Sequence, residues 1–260
     1  MESLSMKRAI TMIFKFTWFP ILFLAIWELA SRLASNPFFP EPSKIIAATK
    51  DVYTKEWLSQ SLSTSLFTLF AGYLIGSGAG LILGAILGSQ EILRSIFTPI
   101  TNFIRSIPSA AKVPVIIALF GIGLSSRVTT VAVAVLFPVL LTTLRAVANT
   151  DRSMLDYSKL LRFGYFRSLF QVRIPAATGE ILAGLQASIQ IAVLVMVISE
   201  MIGSGKGLGA FVIRAQSTYM ITDMWVGILT LGIIGLLLTE GFRLLERKVA
   251  PWYFSSKGLQ

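Results

Sequence analysis

The sequence predicts an all-helical integral membrane protein of about six spans, and three observations predict it. Of 260 residues, 54% are hydrophobic and only 14% charged, with a mean hydropathy of +0.74. Soluble domains carry about 25% charged residues, so this chain has too little polar surface to cover itself in water. Its apolar residues fall in runs of about 20, the helical length that crosses a hydrocarbon core of roughly 30 Å. The chain also has no histidine and no cysteine. That removes disulfides, thiolate and imidazole metal ligands, catalytic triads and cysteine nucleophiles together, so no metal site is expected and most membrane-embedded enzyme chemistry is excluded.

The predicted spans are 10–33, 62–87, 96–122, 128–144, 181–202 and 225–245. The first is interrupted by Lys15 and Pro20 and ends in no small-residue cleavage pattern, so it reads as a retained helix rather than a signal peptide. An even number of spans puts both termini on one side. Most lysines and arginines then share that side, among them Arg94, Arg145, Arg243, Arg247 and Lys248, which makes it cytoplasmic. The net charge of +10 is thus a set of topology anchors, and no nucleic-acid partner is expected. The whole is read as one transmembrane domain: residues 1–61 as first helix and outer loop, 62–245 as a core with a cytoplasmic loop at 145–178, and 246–260 as a cytoplasmic tail.

Between the first two spans, NPFFPEPSKI stops the helix with three prolines, and a short surface helix is expected over 43–52. The second span carries Gly72, Gly76, Gly80 and Gly84 at four-residue spacing, a stripe that lets a neighbouring helix approach closely. The third span holds Arg105, Pro108, Ser109 and Lys112 in an apolar stretch. A cation at mid-membrane costs about 3 kcal/mol or more unless wet or paired, and prolines free carbonyls that need protein or water. These four residues are assigned to a translocation pathway, with snorkelling of the two cations to an interface as the competing reading. Gln186 and Gln190, one turn apart on the fifth span, suit either pathway lining or helix–helix hydrogen bonding. Glu28, Glu180 and Glu200 are the acidic residues near lipid. Glu200, at a helix end or paired with a cation, is placed with the pathway group. The run GSGKGLG at 203–209 is no nucleotide loop, because that motif requires Gly where Glu200 stands and Ser or Thr where Gly207 stands.

Residues 151–175, DRSMLDYSKLLRFGYFRSLFQVRIP, are the stretch on which the chain is organised. Five basic residues alternate with large apolar ones at helical spacing, in roughly two short helices between membrane spans. The segment either rests on lipid headgroups or fits a groove in a cytoplasmic partner. A secondary transporter or channel working alone is the alternative from another class. It would need an internal repeat and mid-depth carboxylates, and neither stands out in this sequence.

The spacing from Asp156 to Pro175, followed by Ala176, Ala177, Gly184 and SEMIGSGKGLG, resembles the EAA loop and C-terminal signature of permease subunits of ATP-binding-cassette (ABC) importers. The nearest likeness is to the branch importing sulfonates, taurine, nitrate and related solutes. It extends over 37–253, including FIRSIPSAAKVPVIIALFGIG and LLERKVAPWY. The resemblance implies a type I importer permease fold in the bacterial plasma (inner) membrane. It places Asp156 where the loop has Glu, Tyr157 and Ser158 at its two alanines, and Val172, Ile174 and Pro175 in its closing pattern. Arg162 stands where the loop has Gly, and Gly164 follows two places later, so either a different turn or an unusual ATPase partner is expected there. Phe166, Leu169 and Phe170 would fill the partner's groove. The implied partners are a second copy or close paralogue, two cytoplasmic ATP-binding subunits and an extracytoplasmic solute-binding protein. ATP and Mg would bind in the partner ATPase and no cofactor in this chain, which is not expected to be an enzyme. The implied cargo is a small anionic solute: a sulfonate, taurine, nitrate, bicarbonate or a carboxylate.

Overall fold

The computed structural model describes residues 2–34, 36–203 and 205–251, with side chains from Trp18 onward. Serine 35, Ser204 and residues 252–260 lie outside the described residues, as do most of the expected cytoplasmic tail and the end of the LLERKVAPWY stretch. Among the described residues the regular structure is helical: α1 Glu2–Ala34, α2 Pro42–Val52, α3 Lys55–Ser89, α4 Glu91–Ser106, α5 Ser109–Phe120, α6 Leu124–Ala148, α7 Arg152–Leu160, α8 Tyr165–Gly203, α9 Leu208–Ser217 and α10 Ile221–Val249. The expected surface helix over 43–52 is α2, with Pro42 in its first turn, where a missing N–H costs nothing. Glu28 of α1 accepts hydrogen bonds from Ser43 N (3.1 Å) and Ser43 Oγ (2.8 Å), tying α2 back to α1.

Four helices, α3, α6, α8 and α10, are long and apolar enough to cross a membrane. The first predicted span, 10–33, falls within α1. The third does not form a straight span. Residues 96–122 divide at Ile107 and Pro108 into α4 and α5, whose axes meet at 88°. Pro108 is the reason: it disfavours helical backbone in Ile107, which lies extended at ψ 120°, and donates no N–H of its own. Two long helices also reach beyond their predicted spans. The second short helix expected in the central segment is continuous with α8, which passes Pro175 through one wide π turn, Leu169–Arg173. α3 has a similar π turn at Leu58–Leu62.

The core is α6, held between α3 and α8. The glycine stripe explains how closely α3 approaches: a Cβ on Gly80 would stand 2.8 Å from Leu136 O, and one on Gly84 2.7 Å from Leu140 O. Gly88 extends the stripe by one more turn, against Leu144, whereas Gly78, off the stripe, faces open space. Without a hydrophobic force between helices in lipid, such close backbone contact is a main source of cohesion. Val131, Val135 and Val139 of α6, Leu69 of α3 and Met196 of α8 fill the centre. Outward apolar residues such as Ile75, Ile82, Leu236 and Leu237 stay exposed, as lipid-facing side chains should.

Candidate functional site

The loop end of the bundle carries the 151–175 segment. Asp151 caps α7, its Oδ1 accepting from Ser153 N at 3.0 Å. The helix closes when Arg162 N donates to Lys159 O and Phe163 N to Ser158 O, both at 2.9 Å, a Schellman pair. Arg162 supplies the left-handed residue that this closure needs, with φ +53°. Arg162 thus takes a backbone conformation that glycine adopts without strain, at a cost of about 1 kcal/mol. Gly164, with φ −67°, is no displaced substitute for it.

The loop's three signature positions part company. Asp156 and Tyr157 are exposed, and Asp156 pairs with Lys159 at 3.0 Å, a surface bridge worth about 0.2–1 kcal/mol. Ser158 is buried, donating to Leu155 O at 2.7 Å and lying 3.4 Å from Ser168 Oγ of α8. The three groove-filling candidates divide as well. Phe166 is 71% exposed and Phe170 63%, but Leu169 is only 4% exposed, packed with Ala85, Val147, Ala177 and Ile181. Leu169 therefore belongs to the fold, a correction to its expected role: it cannot reach a partner. Leu160 (78%) and Leu161 are exposed as well. Their signal in the sequence was position, since both stand at the end of α7, where the Arg162 turn lifts them clear of the bundle. Pro175 is exposed on α8, just after the π turn. Tyr165, at the start of α8, shares a 2.7 Å hydrogen bond with Ser89 Oγ at the end of α3 and accepts from Gln90 Nε2 at 3.4 Å.

The pathway candidates do not gather on one surface of the chain. Arg105 is exposed in the last turn of α4, where a cation suits the helix dipole. Pro108 and Ser109 form the corner between α4 and α5. Lys112 lies with its Nζ 5.2 Å from the centre of the Phe137 ring on α6, a cation–π arrangement. Gln190 donates to Thr239 Oγ1 of α10 at 3.1 Å, the helix–helix alternative, and Gln186 is half-buried one turn earlier.

Glu200 is the clearest correction. It is fully buried and faces a turn rather than a pathway. Ser65 Oγ stands 2.8 Å from both carboxylate oxygens, and Gly209 N donates to Oε2 at 2.9 Å. Leu208 N donates to Ser65 Oγ at 2.8 Å and Gly207 N to Gln60 O at 3.0 Å. Arg127 Nη1 reaches Lys206 O at 3.3 Å, and Arg214 Nη2 reaches Gly205 O at 3.0 Å. Gly207 has φ +107°, and a side chain there would collide with the Glu200 carboxylate. Gly207 and Gly209 of GSGKGLG thus serve a carboxylate of their own chain.

Two elongated helices crossing beside a central one, with a polar loop at one end and a buried turn at the other, define a multi-pass helical membrane protein. The chain belongs to the family of binding-protein-dependent transport system inner membrane components, whose model matches residues 76–252. It is therefore a transporter permease and not itself an enzyme, and the stand-alone transporter or channel is not favoured. It is 29% identical to SsuC of Bacillus subtilis, named for aliphatic sulfonates transport, over 92% of this chain and 87% of that protein. To TauC of Escherichia coli, a taurine transport system permease, it is 28% identical over 90% and 87%. An inward-facing structure of the MetNI methionine ABC transporter superposes with a TM-score of 0.59 at 18% identity, covering 74% of this chain and 94% of the matched one. The fold expected from the sequence, that of an importer permease, is the fold observed.

Proposed function

We propose that the chain, as one transmembrane domain, is the membrane subunit of an ATP-driven importer for a small organic anion of the sulfonate class. Two copies, or one with a close paralogue, form the pathway in the bacterial plasma membrane. Both termini and the 151–175 segment face the cytoplasm, as the distribution of lysine and arginine favours. Two ATP-binding subunits, which hold ATP and Mg, seat α7 and the start of α8 in surface grooves, and a solute-binding protein delivers cargo at the opposite face.

The observation that carries the reading is the exposure of four large apolar residues, Leu160, Leu161, Phe166 and Phe170, within one short segment that also holds the exposed Arg162 and Arg167. Large apolar groups standing in water at a loop need a partner, and basic residues around them set its orientation. Arg167 lies over the Phe163 ring at 4.2 Å, which fixes both against α8. The names of SsuC and TauC, with Arg105 and Lys112 near the bend, support an anionic cargo.

Purification of the tagged chain from its native membrane, with mass spectrometry of what accompanies it, tests the reading. Stoichiometric recovery of an ATPase is expected, together with a binding protein whose ligand screen selects sulfonates over neutral solutes. Phe166→Asp should lower ATPase recovery by about tenfold or more, the loss typical of a central apolar anchor. Recovery of the chain alone, active in liposomes without ATP, would sink the proposal.

A further inference from the structure

We propose that two side-chain latches join α3 and α8 into one lever, with Ser89 and Ser65 as its positioning residues. The inference rests on the docking of ATP-binding subunits at the loop end, and it concerns how a push there reaches the opposite end.

α8 is 39 residues long, or about 58 Å at 1.5 Å per residue. Its weak point is the π turn Leu169–Arg173, because helices bend most readily where the i to i−4 ladder is broken. The docking face lies on both sides of this turn, with Phe166 before it and Phe170 within it. A push on Phe166 would be absorbed as a local bend unless the stub before the turn were anchored elsewhere. Tyr165 is that anchor: its hydroxyl meets Ser89 Oγ of α3 at 2.7 Å. α3 has the mirror-image weakness. Its π turn, Leu58–Leu62, lies at the opposite end of the bundle. It too is held from that side, since Gly207 N, in the turn that follows α8, bonds Gln60 O inside the π turn while Glu200 of α8 holds Ser65 just after it. Halfway along, Tyr73 Oη of α3 donates to Leu185 O of α8 at 2.8 Å.

Each long helix therefore has one soft turn, at opposite ends, and next to each soft turn a side-chain bond ties it to the other helix. The pair cannot bend at either turn without breaking a latch, so displacement of the loop segment moves the 203–209 turn with it. Ser89 acts through Tyr165.

The test uses the complex purified with its co-expressed ATPase and binding protein, reading ATP turnover with the binding protein relative to turnover without it. Ser89→Ala should lower this stimulation about fivefold while ATPase recovery stays at the level of the unaltered chain, and Ser89→Thr, which keeps the hydroxyl, should restore it. Full stimulation in Ser89→Ala with normal ATPase recovery would overturn the lever and leave the importer reading standing. Equal loss in Ser89→Ala and Ser89→Thr would also overturn it, since the hydroxyl would not be what matters. Failure of any ATPase to accompany the unaltered chain would remove the importer reading and the lever together. Ser65→Ala, which removes the bond to Glu200 and leaves Gly207 N on Gln60 O, should also lower the stimulation, and full stimulation in that variant would overturn the part of the lever at this end.

Discussion

The two ends of α8 solve opposite problems. At its start, large apolar side chains, Phe166 and Phe170, stand exposed on a backbone that is helical throughout, with Phe170 inside the π turn. At its end, backbone groups from Gly205 to Gly209 are held by Arg214, Arg127, Gln60, Ser65 and Glu200, and the key side chain is buried. One end leaves large apolar groups exposed; at the other the chain supplies the partners of its own polar groups. The difference teaches that a polar residue near lipid is not by itself a pathway residue, and that an apolar one in a loop is not by itself core. What separates the cases is whether the chain supplies the partner.

The sharpest way to break this contrast is to exchange the two kinds of apolar residue at the loop end. Leu169→Asp buries an unpaired carboxylate and should cost about 4 kcal/mol or more, seen as lost yield and a lowered unfolding temperature in detergent. Phe166→Asp, three residues earlier, should leave the unfolding temperature within the range of ordinary surface changes. If both variants unfold alike, the assignment of inside and outside is wrong. At the opposite end, Glu200→Ala strands the Gly209 N–H and the Ser65 hydroxyl and should cost about 3 kcal/mol by the same measurement. An unaltered melting curve would show that the turn does not depend on its carboxylate.

Smaller effects sharpen the picture between the ends. Gly80→Ala forces a Cβ against Leu136 O and should cost about 2 kcal/mol, whereas Gly78→Ala meets open space and should be neutral or stabilising by about 0.5 kcal/mol. Equal effects would mean that the stripe is not the α3–α6 contact. Smallest of all, Arg162→Gly relieves a left-handed arginine and should stabilise by about 1 kcal/mol at most. A loss of stability there would show that the arginine side chain contributes more than its backbone costs.

Much was legible in the sequence because hydropathy and helix punctuation are local. The spans at 62–87, 128–144, 181–202 and 225–245 lie inside α3, α6, α8 and α10, and the stripe from Gly72 to Gly84 meets α6 as its spacing demands. The 151–175 segment, with its capping Asp151 and mixed basic and apolar face, could likewise be found by reading along the chain. What reading along the chain could not supply was the direction in which each side chain points. Leu169 and Phe170 are neighbours with the same hydrophobic character, and only the packing of α8 on Ala85 and Val147 puts one inside and the other outside.

Composition and periodicity by themselves determined that this is a helical membrane protein without thiol or imidazole chemistry, with one amphipathic segment set between its spans, because burial in lipid acts on every residue of a span alike. The tertiary structure alone decided that Pro108 turns the third stretch through 88°, that Arg162 keeps a glycine's turn, and that Glu200 belongs to Ser65, 135 positions away. Such facts depend on pairs of groups meeting across the fold, and a carboxylate's role is fixed by the donors that reach it, which no single stretch of sequence contains.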